Sequence, residues 1–170
     1  MTRPLILLDV DGVLNALHQD TSVLEWKFLP TFKVGPFDMN LSQEMADALM
    51  SLDADIEWLT TWCMRDDEVN PNIGRALGWP KLPCHPDPGT GLRKMSFRSW
   101  WKQHAVDKIR AEQPDRPIIW IDDDLGGKIA ENGGEQFDVK NNIFMVAPDT
   151  LMGLTPGDIE RIKWFIARLK

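Results

Sequence analysis

The chain has 170 residues, 43% of them hydrophobic and 26% charged, with a formal charge of −7. That length suits one domain with a sizeable core and is short for two, and the composition excludes a disordered chain. The acidic balance argues against a generally basic surface for nucleic acid, which relies on Lys and Arg to neutralise phosphates, and leaves only a local patch for such contact.

Leu5-Ile6-Leu7-Leu8 is a run of four large aliphatics, as in a strand buried on both faces of a parallel sheet. It ends in Asp9-Val10-Asp11-Gly12, two carboxylates spaced two apart and then a glycine. Parallel sheets present their ligands at the carboxyl ends of the strands. Gly12 lets the chain turn sharply there and leaves backbone N–H groups open to an anion. Asp9 and Asp11 would repel each other unless a cation or proton intervened, so a metal site is the natural resolution. An EF-hand is excluded, because the residues after Gly12 lack its further oxygen ligands.

Residues 16–40 mix Trp26, Phe28, Phe32 and Phe37 with Pro30, Gly35 and Pro36, which reads as a loop or small β-hairpin over the site. Ser42 to Leu52 follows a helical pattern capped by Asn40 or Ser42. Ile56-Glu57-Trp58-Leu59 is a second strand, ending in Thr60-Thr61, and is followed by a short helical piece near 68–77 and a proline-rich loop over 80–91. Met95 to Glu112 is a long helical pattern with Phe97, Trp101, Ala105 and Ile109 on one face. Arg93, Lys94, Arg98 and Lys102 interleave with Phe97, Trp100 and Trp101, and the simplest account turns the indoles inward and the cations outward.

Ile118 to Ile121 is a third strand, and it runs into Asp122-Asp123-Asp124. A glycine-punctuated segment precedes a fourth strand over 142–147. Thr155-Pro156-Gly157-Asp158 then opens a terminal helix, with Thr at the cap and Pro at the first helical position. Strands alternating with helices predict an α/β fold with a parallel sheet. Cys63 and Cys84 form no CxxC pair and lack zinc-site spacing, so they read as two free thiols in a reducing compartment. No apolar stretch approaches the ~20 residues of a membrane span, and Met1-Thr2-Arg3-Pro4 runs straight into the first strand with no signal-peptide pattern. A cytoplasmic protein is expected, with no membrane association and no obligate protein partner evident.

Acid, hydroxyl, ammonium and acid thus follow in order at strand ends and a helix start. In that order and spacing the chain resembles the haloacid dehalogenase (HAD) superfamily, whose four motifs are DxDG, a Thr or Ser, a Lys and an acidic pair. The resemblance implies a Rossmann-like three-layer sandwich with a mainly parallel central sheet, one hydrolase domain over 1–170 with residues 17–40 as a small flap. It implies a phosphatase, with Asp9 as nucleophile forming an aspartyl-phosphate and Asp11 as acid and base. Mg²⁺ would be held by Asp9, the Asp11 carbonyl, and Asp122 or Asp123, with Asp124 as an extra acid.

Thr60 matches the hydroxyl position best, with Thr61 as the alternative, and Lys94 matches the lysine, with Arg93 and Lys108 as rivals. Thr60, Thr61, Lys94 and Gly12 would bind the phosphate. Inserts of about 25 and about 30 residues are too small for a folded cap domain, so an open site is expected. Such a site suits a nucleotide, a nucleic-acid end or another large phosphorylated substrate, and also tolerates small phosphate esters. A catalytically idle domain that binds a phosphorylated ligand or partner is the alternative.

Overall fold

Four-residue runs with no polar position have no side to turn toward water, and the chain buries them in the middle of a sheet. The computed structural model describes residues 2–64, 68–85 and 100–170. Its strands are β1 (Leu5–Leu8), β2 (Phe32–Val34), β3 (Phe37–Met39), β4 (Asp55–Trp58), β5 (Ile118–Ile121), β6 (Phe137–Asp138) and β7 (Ile143–Val146). Its α-helices are α1 (Gln43–Met50), α2 (Trp101–Glu112), α3 (Gly126–Glu131) and α4 (Pro156–Ala167). The main sheet has the order β4-β1-β5-β7-β6, parallel throughout except for β6. Every residue of β1, β5 and β7 is buried.

Alternation along the strands assigns each residue to one of two apolar layers. Ile6, Leu8, Ile56, Trp58, Ile119, Ile121, Phe144 and Val146 pack in one layer with α1 and α4. Leu5, Leu7, Ile118, Trp120, Ile143 and Met145 pack in the other, against Trp101, Val106 and Ile109 of α2. The result is the expected α/β Rossmann-like sandwich. No helix among the described residues is long and apolar enough to cross a membrane.

Local chemistry explains the helix starts. Ser42 caps α1 by accepting from the Met45 N–H, and Thr155 and Asp158 form a reciprocal capping box at α4 with Pro156 inside the first turn. The stretch over the site resolves into an antiparallel hairpin of β2 and β3. The long helix expected over 95–112 is corrected at its start: Trp100 is an extended N-cap (φ −76°, ψ 120°) and α2 begins at Trp101, while residues 95–99 lie outside the described residues. The glycine-punctuated segment contains α3 and the two-residue strand β6, which is too short to leave a periodic signal.

Cys63 and Cys84 are joined in a disulfide, which corrects the reading of two free thiols and removes their argument for a reducing compartment. Residues 83–85 run along the outer edge of β4, where the Trp58 N–H donates to Pro83 O (2.8 Å) and the His85 N–H donates to Trp58 O (2.9 Å). The 3₁₀ turn Thr61–Met64 folds back beside that segment, so the two Cα atoms stand 5.8 Å apart. Sequence spacing alone carries no trace of this meeting.

Asn70 anchors the same edge. Its Oδ1 accepts from the Trp58 indole N–H and the Leu82 amide, both at 3.0 Å, and its Nδ2 donates to Leu82 O at 2.9 Å. Asn70→Ala leaves those donors without these bonds in a buried setting, and a loss of about 3 kcal/mol is expected in urea unfolding.

Candidate active site

The alternation that builds the core also aims the acids. Asp9 follows Leu5 and Leu7, and Asp122 follows Ile118 and Trp120, so both carboxylates emerge on the side of the sheet covered by α2. Leu8 pairs with Ile121, and the Asp9 N–H donates to Ile121 O at 3.1 Å, so the two acids continue the register as neighbours. Asp122 is 0% exposed and Asp9 8%. Charges buried this deeply require a partner.

The partner is Lys102, in the first turn of α2 and only 4% exposed. Its Nζ donates to Asp9 Oδ2 and to Asp122 Oδ2, the second at 2.6 Å. Further donors fix the other oxygens: the Val10 N–H reaches Asp9 Oδ1 at 2.7 Å, and the Asp124 N–H reaches Asp122 Oδ1 at 3.0 Å. Burial is the largest influence on Asp122 and pushes its carboxyl up to about 7, with Asp9 adding to the rise and the Lys102 ammonium opposing it. Asp123 is raised too, mainly by burial, while the Thr150 hydroxyl donating to its Oδ2 at 2.7 Å acts the other way. Lys102 is held firmly charged, since the two carboxylates outweigh its own desolvation.

Asp9, Asp122 and Asp123 each offer an oxygen within 4.8 Å of one another. Among the described residues one ammonium faces three carboxylates, and this all-oxygen set fits a hard divalent cation such as Mg²⁺. The Asp11 carboxylate stands outside the cluster. Its Oδ1 accepts from Asn15 Nδ2 (2.8 Å) and its Oδ2 from the Trp62 indole N–H (2.9 Å).

Thr60 is fully buried at the end of the β4 run, with its Oγ1 3.5 Å from the Trp62 N that donates to it, whereas Thr61 is exposed. Gly12 differs from its expected role. Its N–H donates to Asn15 O at 3.0 Å, so that amide is used within the turn and is not open to an anion. The glycine is required for another reason: its φ is +71°, and an added Cβ would lie 2.6 Å from Asp123 Cγ. Its small size lets the first acidic loop approach the second.

Lys94 and its rival Arg93 lie outside the described residues. The other rival, Lys108, is exposed and pairs with Glu112 across one helical turn. Of the cations expected to face outward, Lys102 instead points into the site, while Trp100 and Trp101 are buried as expected. The stripe of Trp101 and Ile109 is buried as the periodicity predicts, and the buried face extends one position further round the helix to Lys102 and Val106. Lys102, Val106 and Ile109 recur at i, i+4 and i+7, and a lysine in phase with buried apolar residues signals a buried counter-charge.

The sheet and its acidic end define a Rossmann-like domain of the haloacid dehalogenase kind. A family model for the HAD domain in Swiss Army Knife RNA repair proteins matches residues 5–159, and the chain belongs to that family. No curated protein and no solved structure matches it. Membership points to a phosphatase-type hydrolase, and the aspartate cluster fits metal binding.

The raised Asp122 carboxyl makes stability depend on pH in the metal-free protein. Between the ordinary carboxylate range and about 7, the folded state keeps a proton that the unfolded state has lost, so stability falls as pH rises through that window. With chelator present, the wild type is expected to melt lower at pH 8 than at pH 5.5. Asp122→Asn should flatten that slope, as read by thermal unfolding of both proteins across the range.

Proposed function

We propose that this chain is a Mg²⁺-dependent phosphatase that hydrolyses a phosphate monoester at a nucleic-acid end through an aspartyl-phosphate intermediate. The observation that carries this reading is the buried array of Asp9, Lys102 and Asp122, with Asp11 two residues beyond the proposed nucleophile. A carboxylate can act as a covalent nucleophile without further activation. Asp9 would attack phosphorus, forming its own bond to phosphorus as the ester P–O bond breaks. The leaving oxygen keeps the bonding pair and takes a proton from Asp11. Water then attacks the phosphoryl group and gives a proton to Asp11. The Asp9–phosphorus bond breaks with its pair returning to the carboxylate, and inorganic phosphate leaves.

Lysine has three donors, and Lys102 gives two of them to Asp9 and Asp122. The third would donate to a nonbridging phosphate oxygen, with the Thr60 hydroxyl and Lys94 proposed as further phosphate contacts. Asp9, the Asp11 carbonyl, and Asp122 or Asp123 would hold Mg²⁺, which when bound offsets the repulsion between an anionic nucleophile and an anionic phosphate.

Two features support a large substrate. The insert after Asp11 carries a 3₁₀ turn at Thr21–Val23 and the short β2–β3 hairpin rather than a bulky cap, and Phe37 on that hairpin is 53% exposed, a face on which a base can stack. The family's occurrence in RNA repair proteins supports the phosphorylated end of an RNA in particular.

The test is phosphate release by the purified protein with Mg²⁺ or chelator, on small esters, nucleotides and 3′- or 5′-phosphorylated RNA oligonucleotides. Release is expected only with the metal, with higher kcat/KM on oligonucleotide ends than on small esters, and Asp9→Asn should reduce it to background. Lys102→Met should lower kcat by on the order of 10²–10³-fold, as for loss of a preorganised charge stabiliser. No release above the Asp9→Asn background on any substrate would replace this reading with that of a phosphate-binding domain.

A further inference from the structure

Asp11 is held at both oxygens, and both holders rest on the hairpin. Asn15, 2% exposed, donates from Nδ2 to Asp11 Oδ1, while its own Oδ1 accepts from the backbone N–H of Asn40 at 2.8 Å, just past β3. Asn15 Nδ2 also lies 3.5 Å from Asp38 O within β3. On the other side the Trp62 indole N–H donates to Asp11 Oδ2, and Phe37 of β3 packs edge-on against that indole, with centroids 5.5 Å apart and planes 70° apart. The indole is itself fixed: Trp62 is 8% exposed, and its neighbour Cys63 is tied to Cys84.

We propose that Trp62 and Asn15 are positioning residues for Asp11, and that the β2–β3 hairpin sets the aim of the acid–base group through them. The inference rests on the phosphatase reading given above. Each carboxylate oxygen has two lone-pair directions, and an indole N–H can only donate. With one direction on each oxygen occupied, rotation about the Cβ–Cγ bond is blocked. Among the described residues one direction on each oxygen is left for the proton that goes to the leaving group and is later taken from water. Proton transfer from a positioned side chain is typically worth ~10²–10⁴ in rate, and that benefit depends on its orientation.

Trp62→Phe removes the N–H and keeps an aromatic ring beside Phe37. The experiment measures kcat/KM, which reports the steps through formation of the phosphoenzyme, on a series of aryl and alkyl phosphates. An alkoxide leaving group needs a proton from Asp11, whereas p-nitrophenolate departs readily without one. The expected result is a fall of about 10-fold or more on alkyl esters with little change on p-nitrophenyl phosphate. Asp11→Asn should show the same pattern more strongly, and the double variant should be no worse than Asp11→Asn alone. An equal loss across the series, or none, overturns the inference while leaving the phosphatase reading intact.

A second measurement needs no turnover and separates the two failures. The Trp62 indole ¹H–¹⁵N resonance, identified by its absence in Trp62→Phe, should move in Asp11→Asn and in Phe37→Ala. If the wild type releases no phosphate, the functional reading fails whatever this resonance does. If the resonance ignores both substitutions, the proposed coupling of hairpin, indole and carboxylate is wrong.

Discussion

The site depends on the Lys102 ammonium held between two buried carboxylates. Asp9 and Asp122 stand side by side at the ends of β1 and β5 because the register makes them neighbours, and without Lys102 their charges would face each other in a poorly solvated space. The lysine therefore allows the two strand ends to carry acids at all. It also docks α2 on the sheet at a fixed phase, since the turn that carries Lys102 precedes the apolar contacts of Val106 and Ile109. Packing and chemistry meet in that one helix.

A second layer of control lies above the strands. The metal-type cluster of Asp9, Asp122 and Asp123 is built from the sheet and the turn after β5, whereas Asp11 is oriented by side chains that lean on the hairpin. The two acids of the first motif thus belong to different mechanical parts of the molecule. Asp9 is fixed by the core, and Asp11 by the insert that covers it.

The elements that were legible in the sequence are those whose physics is local. β1 and β5 announce themselves as uninterrupted apolar runs, Ser42 and the Thr155-Pro156-Asp158 cap mark helix starts, and the acids declare themselves by ending wholly buried strands. What stayed hidden depends on relations between distant segments. The role of Lys102 requires knowing which face of α2 meets the sheet. The Cys63–Cys84 link requires knowing that residues 83–85 return along β4. Gly12 was legible as a turn, but its closeness to Asp123 follows only from the packing of two loops.

The edges of the sheet have a consequence beyond the site. An uncovered strand edge is a template for pairing with another chain, and proteins blunt such edges by covering or shortening them. Here β6 closes one side with only two residues, and on the other side the segment at Pro83–His85, fastened through Cys84, pairs with the end of β4 at Trp58. The covalent link thus helps keep an apolar, mostly parallel sheet from recruiting further strands, a protection against self-association built into the segment that runs beside the carboxyl end of β4.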